Sequence, residues 1–525
     1  MKHNKFKRMG LSLVLALTMV LGVGCQASVK EEGANIQNQS AQEIVFAASR
    51  DQAPGEMDAH YVSMSLGVWE PLITKDEIGA PIPALATSWE RNDDATEWIF
   101  ALKEGVKFHN GTDFNADIVL KNFERYKKGP FSSSFYGINI DTTYPNLSEV
   151  IAVDEYTIKL TFSKPAPLLD YSMANYGSSI FEPSCFSEDG NFVSLPIGTG
   201  PYKLVENKVG EYCVVERNDN YYGELAKTKT LRFKVIPDAN TRYSALLAGE
   251  VQGLCDLGAI TPALAKELEG NADFKVTVGD SGITHFLNVN GNRFPFNDLR
   301  MREGLSLLLN REEIIEEFYN GYGIEAGAFL NYTSPFYKEI EVKHDVEKGK
   351  ALIQEVIGDQ DVTLEFLIPV VDANRYPYQE QAEYMQAILQ EIGVNSNITL
   401  LEWGTAKDQM KSGDYDMCLK IQGLPSANPY SLFKGFMHSE GGTNINYGLG
   451  YHNDYVDELI KKVGVEVNED VIADYYDELQ DISAVDLPNI PLLYAQEVAA
   501  CSSKIEGFEA TTYGLTGYTQ VKWAK

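Results

Sequence analysis

Cysteine and histidine are scarce, with 6 Cys and 7 His in 525 residues. Cys25 stands near the N-terminus. Cys185, Cys213, Cys255, Cys418 and Cys501 are scattered and form no C-x-x-C pair. Such spacing excludes a disulfide framework and a zinc ribbon as organising devices. These five read as mostly buried thiols acting as small hydrophobes, with a single disulfide still open outside the cytoplasm. Positive charge is also short: 44 Lys+Arg face 75 Asp+Glu, for a net charge of −31. A surface of that sign repels phosphate backbones, which excludes nucleic-acid binding through a general basic face. The N-terminal apolar run, LSLVLALTMVLGVG, has 14 residues and is too short to span a bilayer comfortably as a permanent helix. Catalytic and nucleotide signatures are missing too. There is no G-x-S-x-G elbow, no G-x-x-x-x-G-K-S/T loop and no H-E-x-x-H. With 75 carboxylates, an acid/base pair of the glycosidase kind has no support from numbers alone.

What is present is ordinary globular material in quantity. Hydrophobic residues make up 44% and charged residues 23%, which excludes a disordered acidic tail. The length predicts two or more lobes rather than one core. Aromatics reach 11%, with 29 Tyr, a residue suited to polar ligand surfaces. Lys2, Lys5, Lys7 and Arg8, the apolar run and the small residues before Cys25 together form an export signal. Gly24-Cys25 resembles a lipobox, whose Cys is acylated and becomes the mature N-terminus; Gly22 stands where many such boxes have Leu. An ordinary signal peptide cleaved near Ala27 is the alternative. Cleavage before Cys25 takes the net charge from −31 to −35 by removing those four cations. The polar stretch that follows, to Gln42, reads as a flexible tether.

Element signals then alternate. EIVFAAS from Glu43 reads as a buried strand. ATEWIFALKEGVKFHNGTDF (95–114) reads as two strands with a tight turn at Asn110-Gly111, followed by a helix capped by Asn115. TIKLTF (157–162) and KTLRFKVIP (229–237) are strands, the second leading to a helix capped by Asp238. THFLNVN (284–290) is a strand, followed by a long helical stretch with Asn297 as cap. Strand 361–369, helix 378–393, strand 397–403, helix GTAKDQMKSG and strand 415–423 follow one another, the order of βαβ units with parallel strands. IPLLYAQEVAAC (490–501) reads as a late strand pair. Gly198-Thr199-Gly200-Pro201 reads as a structural turn, because Pro201 removes an N–H that an anion cradle would use. His109, Asp113 and Asp117 read as a solvated turn and helix start. His438 and His452 have no recognised metal spacing.

Several blocks together resemble the extracytoplasmic solute-binding proteins of ABC importers, family 5, which bind nickel, dipeptides or oligopeptides. They are VWEPLIT (68–74), PALATSWERNDDATEWIFALKEGVKFHNGTDFNADIVLKNFER (83–125), PIGTGPYKL (196–204) and VERNDNYYGE with LRFKVIPDANTRYSALLAGEVQ (215–252). FNDLRMREGLSLLLNREEII and IGVNSNITLLEWGTAKDQMKSGDYDM continue in the same order. The resemblance implies an α/β, two-lobed periplasmic-binding-protein-like fold of class II type. Two hinge crossings, near HFLNVN and PLLYAQE, would join the lobes, and the first lobe would carry an extra subdomain. The expected organisation is a signal peptide (1–24), a lipidated tether (25–41), a first lobe (42–279, with an inserted subdomain about 85–190), a second lobe (280–483) and a return to the first (484–525).

The implied function is a receptor rather than an enzyme, with no cofactor. It would capture a peptide-like solute or a nickel or other metal chelate and deliver it to ABC permease subunits and, through them, cytoplasmic ATPases. Its place would be extracytoplasmic, lipid-anchored through Cys25. A secreted hydrolase, or a binding-fold surface receptor without a transporter, are the alternatives. Nickel receptors similar to this chain hold the chelate with an Arg and a His. Asn175 or Tyr176 stands where the Arg would be, and Tyr430 where the His would be. Peptide receptors use an Asp for the α-amine in the loop where this chain has GLPSANPY, with Asn428 the nearest polar group. The cleft candidates implied are His60, Tyr61, Phe135, Tyr136, Asn175, Tyr176, Gln422, Asn428 and Tyr430.

Overall fold

Two long strands set the architecture. The first, Phe274–Val289, alternates exposed and half-buried residues over its first half and is buried on both faces from Ser281 onward. The second, Ile490–Ser502, runs antiparallel to it along almost its whole length, with the register shifting between Asp280 and Thr284. The expected strand at 284–290 is thus the end of a longer element, and 490–501 is one strand rather than a pair. The correction has a physical cause. Continuous apolar runs mark burial on both faces but carry no signal for where a turn divides them. The computed structural model describes residues 43–53, 64–76, 79–129, 140–174, 178–256, 258–424, 428–510 and 517–525. Cys25, His60, Tyr61, Phe135, Tyr136, Asn175 and Tyr176 lie outside the described residues.

On one side of this pair stands Met417–Gly423, followed by Val362–Pro369 and Val394–Leu401. On the other stand Gly253–Leu254, Glu43–Ala48, Thr230–Val235, Tyr212–Arg217 and Tyr202–Lys208. Gly323–Glu325 joins off this path, completing an 11-stranded sheet. The chain is therefore two-lobed, with the sheet running through both lobes along the two long strands. Val362–Pro369 is parallel to both of its neighbours, as the strand–helix alternation predicts. The helices Tyr378–Glu391 and Trp403–Ser412 make those crossovers. The expected long helix after residue 297 is two helices, Leu299–Leu308 and Arg311–Tyr319, capped by Asp298 and Asn310. Asn297 is not the cap; the Asp298 carboxylate accepts from the Arg300 N–H.

A separate four-stranded antiparallel sheet orders Ala86–Arg91, Glu97–Leu102, Thr157–Phe162 and Leu147–Asp154. Its inward residues Trp98, Phe100, Ile158 and Leu160 pack on Val119, Phe123 and Tyr126 of the helix Ala116–Tyr126. Asn115 caps that helix as expected, accepting from the Ile118 N–H. The strand expected at 106–108 does not form. Lys107 makes only an isolated bridge to Asp113, because the Asn110-Gly111 turn closes too tightly to leave a ladder.

The Gly198–Pro201 segment is a turn with a packing role. A Cβ on Gly198 would stand 2.0 Å from the Val68 carbonyl oxygen, and one on Gly200 2.1 Å from that of Gly67. Glycine is required here for close backbone approach rather than for an unusual φ. Thr199 Oγ1 donates to Glu70 Oε2, and His109 Nε2 lies 3.0 Å from the Gly200 carbonyl. His109 is thus part of this turn's packing, and burial pushes its imidazole down to about 4.

Candidate functional site

Parallel strands end together, and their carboxyl ends are where open α/β sheets leave a crevice. Glu43–Ala48 is parallel to Thr230–Val235 and Gly253–Leu254, so Ser49, Arg50 and Asp256 sit at the carboxyl end of the first lobe's sheet. In the second lobe the same end carries the short helix Val370–Ala373 with Asp372, then Arg375 and Tyr376. Trp403 opens the next helix there, and Lys420 and Gln422 close the third strand. Gln496 and Glu497 lie where the strand Ile490–Ser502 passes between the two halves, opposite Asp280 and Gly279.

The polar groups at this crevice are paired unevenly. Arg50 makes a two-pronged contact with Asp256, Nε to Oδ2 at 2.9 Å and Nη2 to Oδ1 at 3.0 Å. Ser49 Oγ donates to the same carboxylate at 2.8 Å. Asp256 itself has φ +83°, a left-handed backbone that is strained for an L residue. Lys420 Nζ reaches Asp372 Oδ2 at 2.6 Å and lies 4.6 Å from the centre of the Trp403 ring. Burial works against the Lys420 charge, but the Asp372 carboxylate overcomes it and raises the ammonium above its ordinary value. Asp280 accepts from Tyr332 Oη at 2.6 Å, and Tyr332 and Tyr337 both pack on Tyr494.

Glu497 is the odd member. Among the described residues it accepts one hydrogen bond, from the Gly258 N–H to Oε1 at 3.0 Å. Burial pushes its carboxyl up to about 8; the neighbouring Asp256 adds to the rise, and the Gly258 N–H and Arg50 oppose it. Its proton is therefore held more tightly in the folded chain than in the unfolded one, where the carboxyl titrates near 4.5. The sign follows: this stabilisation is fully present below pH 4.5 and is lost as pH rises through about 8. Melting wild type and Glu497→Gln across pH isolates it. The wild-type melting temperature is expected to fall relative to the variant between these limits and to run parallel above them. A difference that does not change with pH would mean that the carboxyl is solvated.

The described cleft candidates have other partners. Asn428 Nδ2 donates to Ser172 Oγ at 2.9 Å, and its Oδ1 accepts from Tyr430 N and Tyr476 Oη, both at 3.0 Å. Its amide is spent on a contact between the segment 169–173 and the second lobe. Nearby, Tyr171 packs on Phe336 at 5.4 Å between ring centres, and Leu168 is buried among Phe286 and Phe433. Arg91 Nη2 donates to the Val467 carbonyl at 2.9 Å, adding a second tie. Tyr430 opens the helix Tyr430–Met437, and its ring lies against Gly464 rather than alone in open space. Gln422 donates to the Gly423 carbonyl and pairs across the sheet with Thr284, beside the crossing. Gln422 thus lies beside the crevice, whereas Asn428 and Tyr430 belong to the packing between segments.

Sequence reasoning missed Arg50, Asp256, Tyr376 and Glu497. Two signals were visible. Arg50 follows an apolar strand within two residues of its end, and Glu497 is a lone acid inside an apolar run. The five cysteines beyond Cys25 are all buried and unpaired, and burial pushes Cys185 and Cys501 up to about 11. His438 Nδ1 lies 3.9 Å from Asp457, and among the described residues no group of three or more His, Cys, Asp or Glu converges as a metal site.

The family model for bacterial extracellular solute-binding proteins, family 5, matches residues 80–444. The chain belongs to this family. It is a solute-binding receptor of an ABC importer, and its place is extracytoplasmic, as for the family. No helix among the described residues is long and apolar enough to cross a membrane. Among curated relatives of this family-5 protein, the heme-binding protein A of Haemophilus influenzae is 27% identical over 467 residues, 83% of each chain. The dipeptide-binding protein of Escherichia coli is 25% identical over 470 residues, 85% of each. The nickel-binding periplasmic protein of the same organism is 27% identical over 369 residues, 67% of this chain and 69% of its own. Of solved structures, NikA from Brucella suis in complex with Fe(III)-EDTA superposes with a TM-score of 0.83 at 22% identity, covering 92% of this chain and all 100% of its own. DppA from Helicobacter pylori in complex with the peptide STSA gives 0.74 at 22%, covering 93% and 100%. These structural likenesses establish the two-lobed fold.

Proposed function

We propose that this receptor captures a peptide-like solute or a metal chelate in the crevice between its lobes and hands it to a membrane permease, without chemical turnover. The observation that carries this reading is the convergence of strand ends from both lobes on one crevice, where the Arg50–Asp256 pair stands near Glu497 and the charges of Arg50 and Glu497 reach Tyr376. Relatives named for dipeptide and nickel binding support the two solute classes. The lobes are assigned as 42–279 with 484–525, and 280–483. The register shift after Asp280 supports a hinge there, where the ladder between the long strands is interrupted. The subdomain at about 85–190 is supported by the separate four-stranded sheet. A lipid on Cys25 tethers the body to the membrane, a reading that rests on the export signal and the residues before that Cys. Of the cleft candidates, Gln422 is retained together with the six aromatic, His and Asn positions outside the described residues.

Thermal melting of the mature chain tests the solute class. A solute present at about 100 times its dissociation constant stabilises the folded state by about 2.7 kcal/mol. Di- and tripeptides, nickel with two equivalents of histidine, and opine-like chelators form the panel. One class is expected to raise the melting temperature and the others to leave it in place. A curve unmoved by all three would sink the peptide-or-chelate reading.

A further inference from the structure

The charges at the crevice do not balance around Glu497. Arg50 is committed to Asp256 through two hydrogen bonds, and Lys420 is committed to Asp372. Arg375, another cation at this end of the second lobe, acts on Tyr376, and no ion pair joins it to Glu497 among the described residues. Glu497 accepts a single hydrogen bond, on Oε1, so that Oε2 has none from the described residues. A carboxylate accepts about four hydrogen bonds in all, so most of its capacity is unused. The groups facing it come from both lobes: Asp256, Arg50 and the Gly258 N–H from the first, and Tyr376 from the second.

We propose that Glu497 anchors an ammonium group of the solute, filling from outside the place of a counter-ion that the described residues do not supply. This rests on the receptor reading above and narrows its solute to an amine-bearing, peptide-like molecule. An ammonium suits the position better than a metal ion. It is satisfied by one carboxylate and neutral acceptors, whereas a divalent ion needs several anionic or imidazole ligands. The crossing strand also places the anchor beside both lobes: the Gly258 N–H of the first lobe bonds it, and its charge reaches Tyr376 of the second. Binding converts a protonated carboxyl and an ammonium into an ion pair, and the carboxyl proton leaves to solvent.

The test uses the full mature chain, a pancreatic digest of casein and, as a third probe, nickel with two equivalents of histidine. One half of the digest is left with free amines and the other is acetylated with acetic anhydride. Retained masses are read by native mass spectrometry for wild type and for Glu497→Gln, which keeps an acceptor for the Gly258 N–H. Wild type is expected to retain peptides from the untreated half and to lose about 10- to 100-fold in occupancy with the acetylated half. The variant is expected to lose a similar factor with the untreated half while melting no lower than wild type at pH 8. Equal capture of both halves by wild type, or equal capture by the variant, overturns the anchor and leaves the receptor reading standing. Capture of nickel–histidine but of neither half overturns the anchor and the peptide arm together. Capture of none of the three overturns the anchor and the peptide-or-chelate reading at once. A variant that melts lower is replaced by Glu497→Asp, whose shorter carboxylate is expected to weaken capture less than Gln does; equal or greater loss in Asp overturns the anchor.

Discussion

Replacing Arg50 with Ala is expected to lower the unfolding free energy by about 3–5 kcal/mol. The Asp256 side chain is 0% exposed, and Arg50 supplies its only cationic partner within salt-bridge distance among the described residues. Without the guanidinium a buried carboxylate keeps, among the described residues, only the Ser49 hydroxyl, and its charge is left in a poor solvent. The loss also reaches Glu497, because Arg50 is a cation that lowers its pKa while Asp256 raises it. Urea unfolding followed by circular dichroism reads the first effect. The double variant Arg50→Ala/Asp256→Asn should recover most of the loss, because it removes the unpaired charge. A single variant that costs less than about 1 kcal/mol would place this pair with ordinary exposed ones.

Lys420→Met is expected to cost about 3 kcal/mol or more. Lys420 and Asp372 are 7% and 10% exposed, and Nζ packs above the Trp403 ring. Met fills the stem's volume but leaves Asp372 without its cation in the first turn of the helix Val370–Ala373. Lys420→Met/Asp372→Asn isolates the charge, and recovery of more than half the loss is the expected result. If the double variant is as unstable as the single one, packing of the Lys stem on Trp403 rather than charge is what the pair contributes.

Much of the fold was legible as local pattern. The alternation in Glu97–Leu102 and Thr157–Phe162 places Trp98, Phe100, Ile158 and Leu160 on one face, and those are the residues that pack on the helix Ala116–Tyr126. Asn115 and Asp238 cap helices where their side chains predict. The errors fall where pattern is silent. The run 490–501 has no period to show that it is a single strand, and Asn297 and Asp298 are equally good caps by composition. The site was less legible. Asn428 has the chemistry of a ligand contact, yet Ser172, 256 positions away in sequence, takes its amide. Nothing local to GLPSANPY announces that partner.

By itself the sequence determined the class of molecule: an acidic α/β chain whose ordered blocks identify the family. Those conclusions depend on composition, short-range periodicity and the order of segments, all of which a linear reading preserves. Only the tertiary structure decided the crevice. Arg50, Asp256, Tyr376 and Glu497 are drawn from four separate parts of the chain, and they feel one another's charge because strands far apart in sequence are neighbours in one sheet. The charge balance at Glu497 follows from which cation pairs with which acid, and that pairing is settled by strand order and register rather than by the number of charges.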